Sequence, residues 1–313
     1  MDQVRINQML AVTEAAAFAA GKWVGRGEKK IADGAAVEAM REALNELHIS
    51  GRVVIGEGER DEAPMLYIGE EVGLGGEEID IAVDPVEGTN MCAYSQPNSL
   101  AVLAFAPRGA LLYAPDTYME KIAVGPKAAN AIDIDASPEE NCKAVAEALG
   151  KTVEELTVCF LDRDRNAEKI AAVRKAGARV RLIGDGDIFA AMATAMDNTG
   201  VDLYMGSGAA PEGVLAATAM RCMDGGFQGR FLFRNEEERA RAIKTAELDV
   251  DAVLQRDDLV RSDDAVFLAT GITDGELLGG VGDGDRAHSV IMDCKTKSIR
   301  FIQSFYRTDQ VSL

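Results

Sequence analysis

Histidine and cysteine are scarce in this chain, and their scarcity disfavours metal sites built from soft ligands. Only two histidines occur among the 313 residues, His48 and His288, and they form no HxxxH pair. The five cysteines show no CxxC spacing, and an odd number cannot all pair within one chain. A zinc-hydrolase site is therefore disfavoured, and most of the cysteines are predicted to be buried apolar thiols.

Basic residues are also few. The chain has 33 lysines and arginines against 52 aspartates and glutamates, which gives a formal net charge of −19. This balance disfavours a nucleic-acid partner, because nucleic-acid phosphates require clustered lysine and arginine. Much of the acidity can serve solubility alone. An anionic substrate would have to be met by bound cations and a few well-placed arginines.

Long apolar runs are missing as well. No run approaches the roughly 18 residues that cross a bilayer, so no membrane partner is expected. The N-terminal residues lack a basic segment followed by an apolar one. The pattern GxxxxGK[ST] is also absent, which disfavours a P-loop kinase or NTPase. The sequence therefore predicts a cytoplasmic protein.

What the chain does contain is a set of carboxylates beside strand-like runs. Asp84-Pro85-Val86-Glu87-Gly88-Thr89 follows the strand-like run 79–83, so both carboxylates are expected in a turn past the strand end. Pro85 restricts the backbone, and Gly88 permits a close approach. Carboxylate oxygens are suited to a hard cation, and the Thr89 hydroxyl to a water molecule or a phosphate.

Two further acidic sites lie upstream. Residues 56–62, Gly-Glu-Gly-Glu-Arg-Asp-Glu, follow the strand-like run 53–55. Asp33 stands before an amphipathic segment, where it is either the N-cap of a helix or a metal ligand. With Asp84 and Glu87, these sites offer oxygen ligands and almost nothing softer, which favours a metal-dependent phosphatase.

The order of predicted elements indicates an α/β fold. Ser137-Pro138-Glu139-Glu140 is typical of a helix start, and Gly150 of a helix end. A boundary near residue 150 would separate an N-terminal α+β region, 1–150, from a C-terminal α/β region, 151–313. Helices are predicted at 3–22, after Asp33, and at 138–149, 166–176, 187–196, 211–223 and 235–256. Strands are predicted at 52–55, 79–83, 100–106, 110–114, 156–161, 179–183, 202–205, 227–233, 265–269, 288–293 and 298–304.

Several polar motifs follow these strands, where ligands of open α/β sheets collect. Arg163 and Arg165 follow strand 156–161 and either clamp a phosphate or only increase solubility. Asp185-Gly186-Asp187 follows strand 179–183 and either accepts sugar hydroxyls or forms a turn with an N-cap.

Two more candidate residues leave similar alternatives open. Glu212 lies in the first turn of helix 211–223, after a glycine-rich segment, and either complements the helix dipole or binds a metal. Tyr118 either donates its phenol to a phosphate or packs in the core.

Taken together, these motifs closely resemble class II fructose-1,6-bisphosphatases of the GlpX type, within the lithium-sensitive sugar phosphatases. The resemblance covers nearly the whole chain. DPxEGT at Asp84 marks the superfamily, whereas the segment 56–70, which begins Gly-Glu-Gly-Glu and contains Ala-Pro-Met-Leu-Tyr, is more specific to class II. Further matching segments are 22–27, 32–37, 80–85, 114–116, 178–180, 185–187, 210–214 and 269–273.

The resemblance implies a layered αβαβα sugar-phosphatase fold, and it implies roles for individual residues. The first metal site would consist of Asp33 and Glu57, and the second of Asp84, Glu87 and Glu212. Glu59 and Asp61 would assist the first metal or the attacking water, together with Thr89. The residues implied to contact the substrate are Glu87, Gly88, Thr89, Tyr118, Arg163, Asp164, Arg165, Asp185, Gly186, Asp187 and Ala209.

The implied reaction is hydrolysis of the 1-phosphate of fructose 1,6-bisphosphate, as in gluconeogenesis, with two or more Mg²⁺ or Mn²⁺ ions per site. The implied assembly is a homo-oligomer, a dimer or a tetramer. Dual action on sedoheptulose 1,7-bisphosphate is the main alternative, because a sugar longer by one carbon could use the same clamp. An inositol monophosphatase is disfavoured by the two arginines. A non-catalytic sugar-phosphate sensor is a remote alternative.

Overall fold

The computed structural model describes residues 2–56, 65–114, 117–245, 248–282 and 284–306. Three residues with predicted catalytic or metal-binding roles, Glu57, Glu59 and Asp61, lie outside the described residues. The described part combines helices with two mixed sheets, which confirms the predicted α/β class.

The helices agree with the predicted pattern in most places, and none within the described ranges is long and apolar enough to cross a membrane. Ser137 and Glu140 form the expected capping box, and Gly150 ends the same helix in the left-handed conformation. The α-helices are α1 (Gln3–Gly21), α2 (Lys29–Asn45), α3 (Thr89–Ala93), α4 (Pro138–Leu149), α5 (Ala167–Ala176), α6 (Asp187–Ala193), α7 (Ala210–Cys222), α8 (Glu236–Thr245) and α9 (Arg256–Leu259).

The strands include three that the sequence did not predict, at Glu71–Val72, Tyr118–Val124 and Leu254–Gln255. Residues 110–114, which were predicted as a strand, form none. The strands are β1 (Ile49–Ile55), β2 (Glu71–Val72), β3 (Glu77–Glu87), β4 (Leu100–Pro107), β5 (Tyr118–Val124), β6 (Thr157–Leu161), β7 (Arg179–Ile183), β8 (Leu203–Ala209), β9 (Gly226–Leu232), β10 (Leu254–Gln255), β11 (Val266–Gly271), β12 (Arg286–Asp293) and β13 (Ser298–Phe305).

The chain divides into two compact units. The first contains residues 1–111 and 262–313, and the second contains 112–261. The predicted boundary at residue 150 therefore falls inside the second unit. The two units differ from the predicted regions because the C-terminal strands β11 to β13 belong to the same sheet as the N-terminal strands β1 to β4.

The first unit is built on a seven-stranded sheet in the order β13-β12-β11-β4-β3-β1-β2. Helices α1 and α2 pack on this sheet. Apolar side chains of α1, including Met9, Val12 and Ala16, are buried against strand residues such as Leu103 and Leu268. Burial of this apolar surface holds β3, and with it Asp84 and Glu87, in a fixed position.

The second unit is built on a six-stranded sheet in the order β10-β9-β5-β8-β6-β7. Strands β6, β7 and β8 are parallel, and β5 runs antiparallel to both β8 and β9. Its core joins the sheet to α4 and α5 through residues such as Val145, Phe160 and Val173. The carboxyl ends of β6 to β9 and the start of β5 therefore meet at one edge.

The long charged helix predicted at 235–256 is interrupted. Helix α8 ends at Thr245, and Leu254 and Gln255 form the short strand β10 beside β9. Pairing with β9 satisfies backbone groups that a continuous helix would have satisfied internally, and this long-range partner is not visible in the local pattern.

Candidate functional site

Asp84 and Glu87 lie within strand β3, and the prediction of a turn just past the strand end is wrong at this point. Asp84 pairs with Val102 of β4, whereas Glu87 pairs with Leu100, so three steps on β3 match two steps on β4. Residues three apart in a regular strand point to opposite faces, but the extra residue of this bulge returns them to the same face. One carboxylate oxygen of each residue lies within 4.8 Å of the other.

The bulge and the residues that follow it are held by local hydrogen bonds. The backbone N–H of Val86 donates to Asp84 Oδ1 at 3.1 Å, and Thr89 Oγ1 donates to the Val86 carbonyl at 3.1 Å. Gly88 has a φ of 75°, and a Cβ there would lie 2.9 Å from the sulfur of Met91. Glycine is therefore required where β3 turns into α3.

Asp33 lies inside helix α2, and the N-cap of this helix is Glu28, so the N-cap interpretation of Asp33 is wrong. Lys29, one turn earlier on the same face, donates from Nζ to Asn90 Oδ1, and its Nζ lies 5.1 Å from the centroid of Tyr94. Burial, assisted by the negative charge of Asp33, raises the pKa of Cys92 to about 11. Asp33 therefore lies beside α3, the helix that follows the Glu87 carboxylate.

In the second unit, the remaining predicted residues collect at one edge of the sheet. The arginine loop follows β6, Asp185 follows β7, and Ala209 ends β8. Tyr118, the first residue of β5, pairs directly with Ala209. The sequence placed these motifs after strands, and the parallel order of β6, β7 and β8 brings those ends together.

Lys121 is the main residue of this edge that the sequence did not single out. Its side chain is 1% exposed, and Nζ donates to Asp187 Oδ2 at 2.5 Å and to the Ala209 carbonyl at 2.8 Å. Glu212 Oε2 lies 3.5 Å from the same Nζ. Lys121 therefore connects three residues that the sequence had assigned to substrate or metal.

Asp187 and Glu212 are fixed by further contacts around this lysine. Tyr204 donates its hydroxyl to Asp187 Oδ2 at 3.2 Å, and the N–H of Ala209 donates to Glu212 Oε2 at 2.9 Å. Glu212 therefore does more than complement the dipole of α7. Although 28% of its side chain is exposed, burial of the carboxyl, followed by the charge of Asp187, raises the pKa of Glu212 to about 8.

The two arginines after β6 have different surroundings. The Arg165 guanidinium lies 4.8 Å from the ring centroid of Tyr118, and its Nε donates to the Ser207 carbonyl at 2.9 Å. Arg163 donates to the carbonyls of Asp162 and Gly184 at 2.9 and 2.7 Å. Arg165 is thus the arginine that the structure brings to Tyr118, whereas Arg163 connects the loops after β6 and β7.

The other predicted substrate residues occupy loop positions around these arginines. Asp164 is exposed and follows Arg163 directly. Gly186 adopts a φ of 86° as the N-cap of α6, and its N–H donates to Asp185 Oδ1 at 3.2 Å. The glycine allows Asp185 to stay partly exposed while Asp187 enters the buried network of Lys121.

Comparison with known proteins gives one consistent result. A family model described as bacterial fructose-1,6-bisphosphatase, glpX-encoded, matches residues 4–306. A protein of Synechococcus sp. (strain JA-2-3B'a(2-13)), named D-fructose 1,6-bisphosphatase class 2/sedoheptulose 1,7-bisphosphatase, is 45% identical over 99% of this chain and 97% of its own length. Proteins with the same name from Thermosynechococcus vestitus and Trichodesmium erythraeum are each 44% identical, over 99% and 98% of this chain and 98% and 97% of their own lengths.

Proposed function

The chain belongs to the family of bacterial fructose-1,6-bisphosphatases encoded by glpX, and we propose that it hydrolyses the 1-phosphate of fructose 1,6-bisphosphate to give fructose 6-phosphate and phosphate. It is accordingly a phosphoric monoester hydrolase. The observation that carries the proposal is the bulge in β3, which places the Asp84 and Glu87 carboxylates on one face. A pair of this kind serves a phosphatase by binding a divalent cation.

The residues present are suited to Mg²⁺ or Mn²⁺. Asp84 and Glu87 offer hard oxygen ligands, and the resemblance in sequence adds Asp33, Glu57 and Glu212 to the ligand set. Burial of the Glu212 carboxyl, followed by the negative charge of Asp187, raises its pKa although Lys121 acts in the opposite direction, and a bound cation would favour the ionised carboxylate. When bound, such ions polarise the phosphate and increase the acidity of a coordinated water molecule.

The chain's own residues would orient and activate the attacking water. Thr89 directs its hydroxyl proton to the Val86 carbonyl, so its oxygen lone pairs can accept a hydrogen bond from water. We assign removal of the water proton to one carboxylate among Asp33, Glu57, Glu59 and Asp61. Glu87 and Gly88 would contact the phosphate that is cleaved.

The other predicted substrate residues would bind the rest of the substrate. Tyr118 and Arg165 are suited to the phosphate that is not cleaved, and Arg163 would hold the loop around Asp164 in place. Asp185, partly exposed beside Gly186, is suited to sugar hydroxyls, as is the backbone at Ala209. Asp187 would act mainly by positioning Lys121, because its Oδ2 already accepts two hydrogen bonds.

Phosphate release from fructose 1,6-bisphosphate should require Mg²⁺ or Mn²⁺. A chelator should abolish turnover, and adding back either ion should restore it, because a divalent ion held by Asp84 and Glu87 would polarise the phosphate and activate the attacking water. The measurement is a matrix of metals against substrates on purified protein. Full turnover in excess chelator would contradict the proposal.

Sedoheptulose 1,7-bisphosphate is a second candidate substrate, because the relatives carry both activities in their names. The same matrix would compare phosphate release from the two bisphosphates and from an inositol monophosphate. We expect both bisphosphates to be cleaved at comparable kcat/KM and the monophosphate to be cleaved far more slowly. Binding of sugar phosphates without turnover under any metal would instead favour a sensor.

The pH dependence of metal binding should report on Glu212. Its raised pKa means that the carboxyl is largely protonated below about pH 8, whereas metal ligation requires the ionised form. The affinity for Mn²⁺ should therefore rise with pH up to about 8, with proton release on binding at pH 7. Calorimetry in two buffers of different ionisation enthalpy measures this release. Glu212→Gln has no carboxyl proton to lose at this position, so this variant should release fewer protons than the wild type when Mn²⁺ binds at pH 7.

We also propose that the protein acts in the cytoplasm as a homo-oligomer, as the sequence predicted. The mass in solution, measured by light scattering after size-exclusion chromatography, tests the assembly. A monomer at micromolar concentration would contradict it.

A further inference from the structure

Arg234 brings a second guanidinium to the ring of Tyr118. Its guanidinium carbon lies 5.8 Å from the ring centroid, and that of Arg165 lies 4.8 Å away. Tyr118 pairs with Ala209 on one side and with Leu232 of β9 on the other, and Arg234 follows Leu232 by two residues. Two cations from different loops therefore meet one phenol at the sheet edge.

The orientation of Arg234 is fixed by a buried carboxylate. Glu238, which is 3% exposed, accepts from Arg234 Nε at 2.5 Å and from the Arg234 backbone N–H at 2.9 Å. The hydroxyl of Thr117 donates to the same carboxylate at 3.3 Å. Hydrogen bonds from Arg234 lower the pKa of Glu238 to about 2. Although 45% of the Arg234 side chain is exposed, its position is thus determined by the interior.

We propose that Arg234 is a binding residue for the uncleaved phosphate of the bisphosphate, and that it acts together with Arg165 and Tyr118. This inference rests on the proposed function. A phosphate carries close to two negative charges at neutral pH, so one arginine leaves it half compensated in a protein with a net charge of −19. Arg163 already donates to two carbonyls, whereas Arg234 lies at the phenol itself.

The choice of arginine at this place also follows from geometry. A guanidinium is planar and can donate from one edge to a carboxylate while it presents another edge to a phosphate. Glu238 engages Nε and Nη2 of Arg234. A lysine could not make both contacts in this way. Lysine at position 234 should therefore bind the phosphate less tightly than arginine does.

The test compares Arg234→Met with Arg239→Met in the full-length protein. Arg239 is a matched control, because it lies on α8 and is also paired with a carboxylate, that of Asp251. Calorimetry with fructose 6-phosphate in excess chelator measures binding without turnover. Arg234→Met loses a charged hydrogen bond to the phosphate, so it should bind fructose 6-phosphate about 10- to 100-fold more weakly than the wild type does. Arg239→Met should bind like the wild type.

Turnover provides a second comparison. In Arg234→Met, KM for fructose 1,6-bisphosphate should rise as binding weakens, with kcat nearly unchanged, whereas turnover of fructose 1-phosphate, which lacks the second phosphate, should not change. Arg234→Lys should fold with its charge retained and show a smaller loss of affinity than Arg234→Met.

The inference is overturned if Arg234→Met binds fructose 6-phosphate as tightly as Arg239→Met, which would leave Arg234 a purely structural partner of Glu238. It is also overturned if the wild type does not bind fructose 6-phosphate. If the wild type binds this sugar phosphate but releases no phosphate from the bisphosphate, the proposed reaction fails, and the binding comparison still decides the role of Arg234.

Discussion

Asp84→Asn should lower kcat/KM for fructose 1,6-bisphosphate by about a thousandfold or more, because a divalent ion supplies several kcal/mol to phosphoryl transfer and each 1.4 kcal/mol is about tenfold. The substitution keeps the shape of the side chain and the acceptor for the Val86 N–H, but it removes the charge beside Glu87. Phosphate release at saturating Mn²⁺ is the measurement. Calorimetry should show a weaker Mn²⁺ affinity in the same variant.

Glu78→Gln is the matched control for this result. Glu78 lies on the same strand, is exposed, and undergoes the same change from carboxylate to amide. Its activity should stay within about twofold of the wild type, as is usual for surface substitutions. If Asp84→Asn turned over at the wild-type rate, Asp84 would have to be removed from the proposed metal site.

Lys121→Met should destabilise the protein by about 3–5 kcal/mol, the usual cost of leaving one member of a buried ion pair without its partner. Lys121 is 1% exposed and Asp187 is 4% exposed, so neither charge is compensated by water. Methionine fills a similar volume, so the loss reports on charge and hydrogen bonding rather than on a cavity. Urea unfolding at pH 7 in excess chelator measures the change.

A double variant separates the charge of Lys121 from its other contacts. Lys121→Met/Asp187→Asn should recover much of the lost stability, because the uncompensated carboxylate is gone. Lys169→Met is a control, because the pair of Lys169 and Glu120 is partly exposed and should contribute roughly 1 kcal/mol or less. If Lys121→Met and Lys169→Met lose equal stability, the buried network does not hold the second unit together in this way.

Local signals in the sequence were sufficient for many of the elements. The capping box of Ser137 and Glu140 predicted the start of α4, and Gly150 predicted its end, because both act within one turn of the chain. Asp33 shows the limit of the same reasoning. Aspartate is a good N-cap, but α2 begins four residues earlier, where no side-chain cap hydrogen bond marks the start.

The features that position the candidate site depend on distant partners. The bulge between Asp84 and Glu87 exists only in the register against β4, and no local pattern reports that register. Lys121 is separated by 66 residues from Asp187 and by 88 from Ala209, so the sequence of β5 alone does not show that this lysine is buried. Arg234 reaches Tyr118 only because β9 pairs with β5.

The order of strands in the first sheet has a consequence for synthesis on the ribosome. The second unit is contiguous and ends at residue 261, whereas the first unit needs residues 262–313 as well. Until those residues emerge, β4 has no partner on the side that β11 later occupies, and its backbone donors and acceptors form an open sheet edge. The candidate metal-binding carboxylates of β3 therefore belong to a sheet that stays incomplete until β11 to β13 have been synthesised.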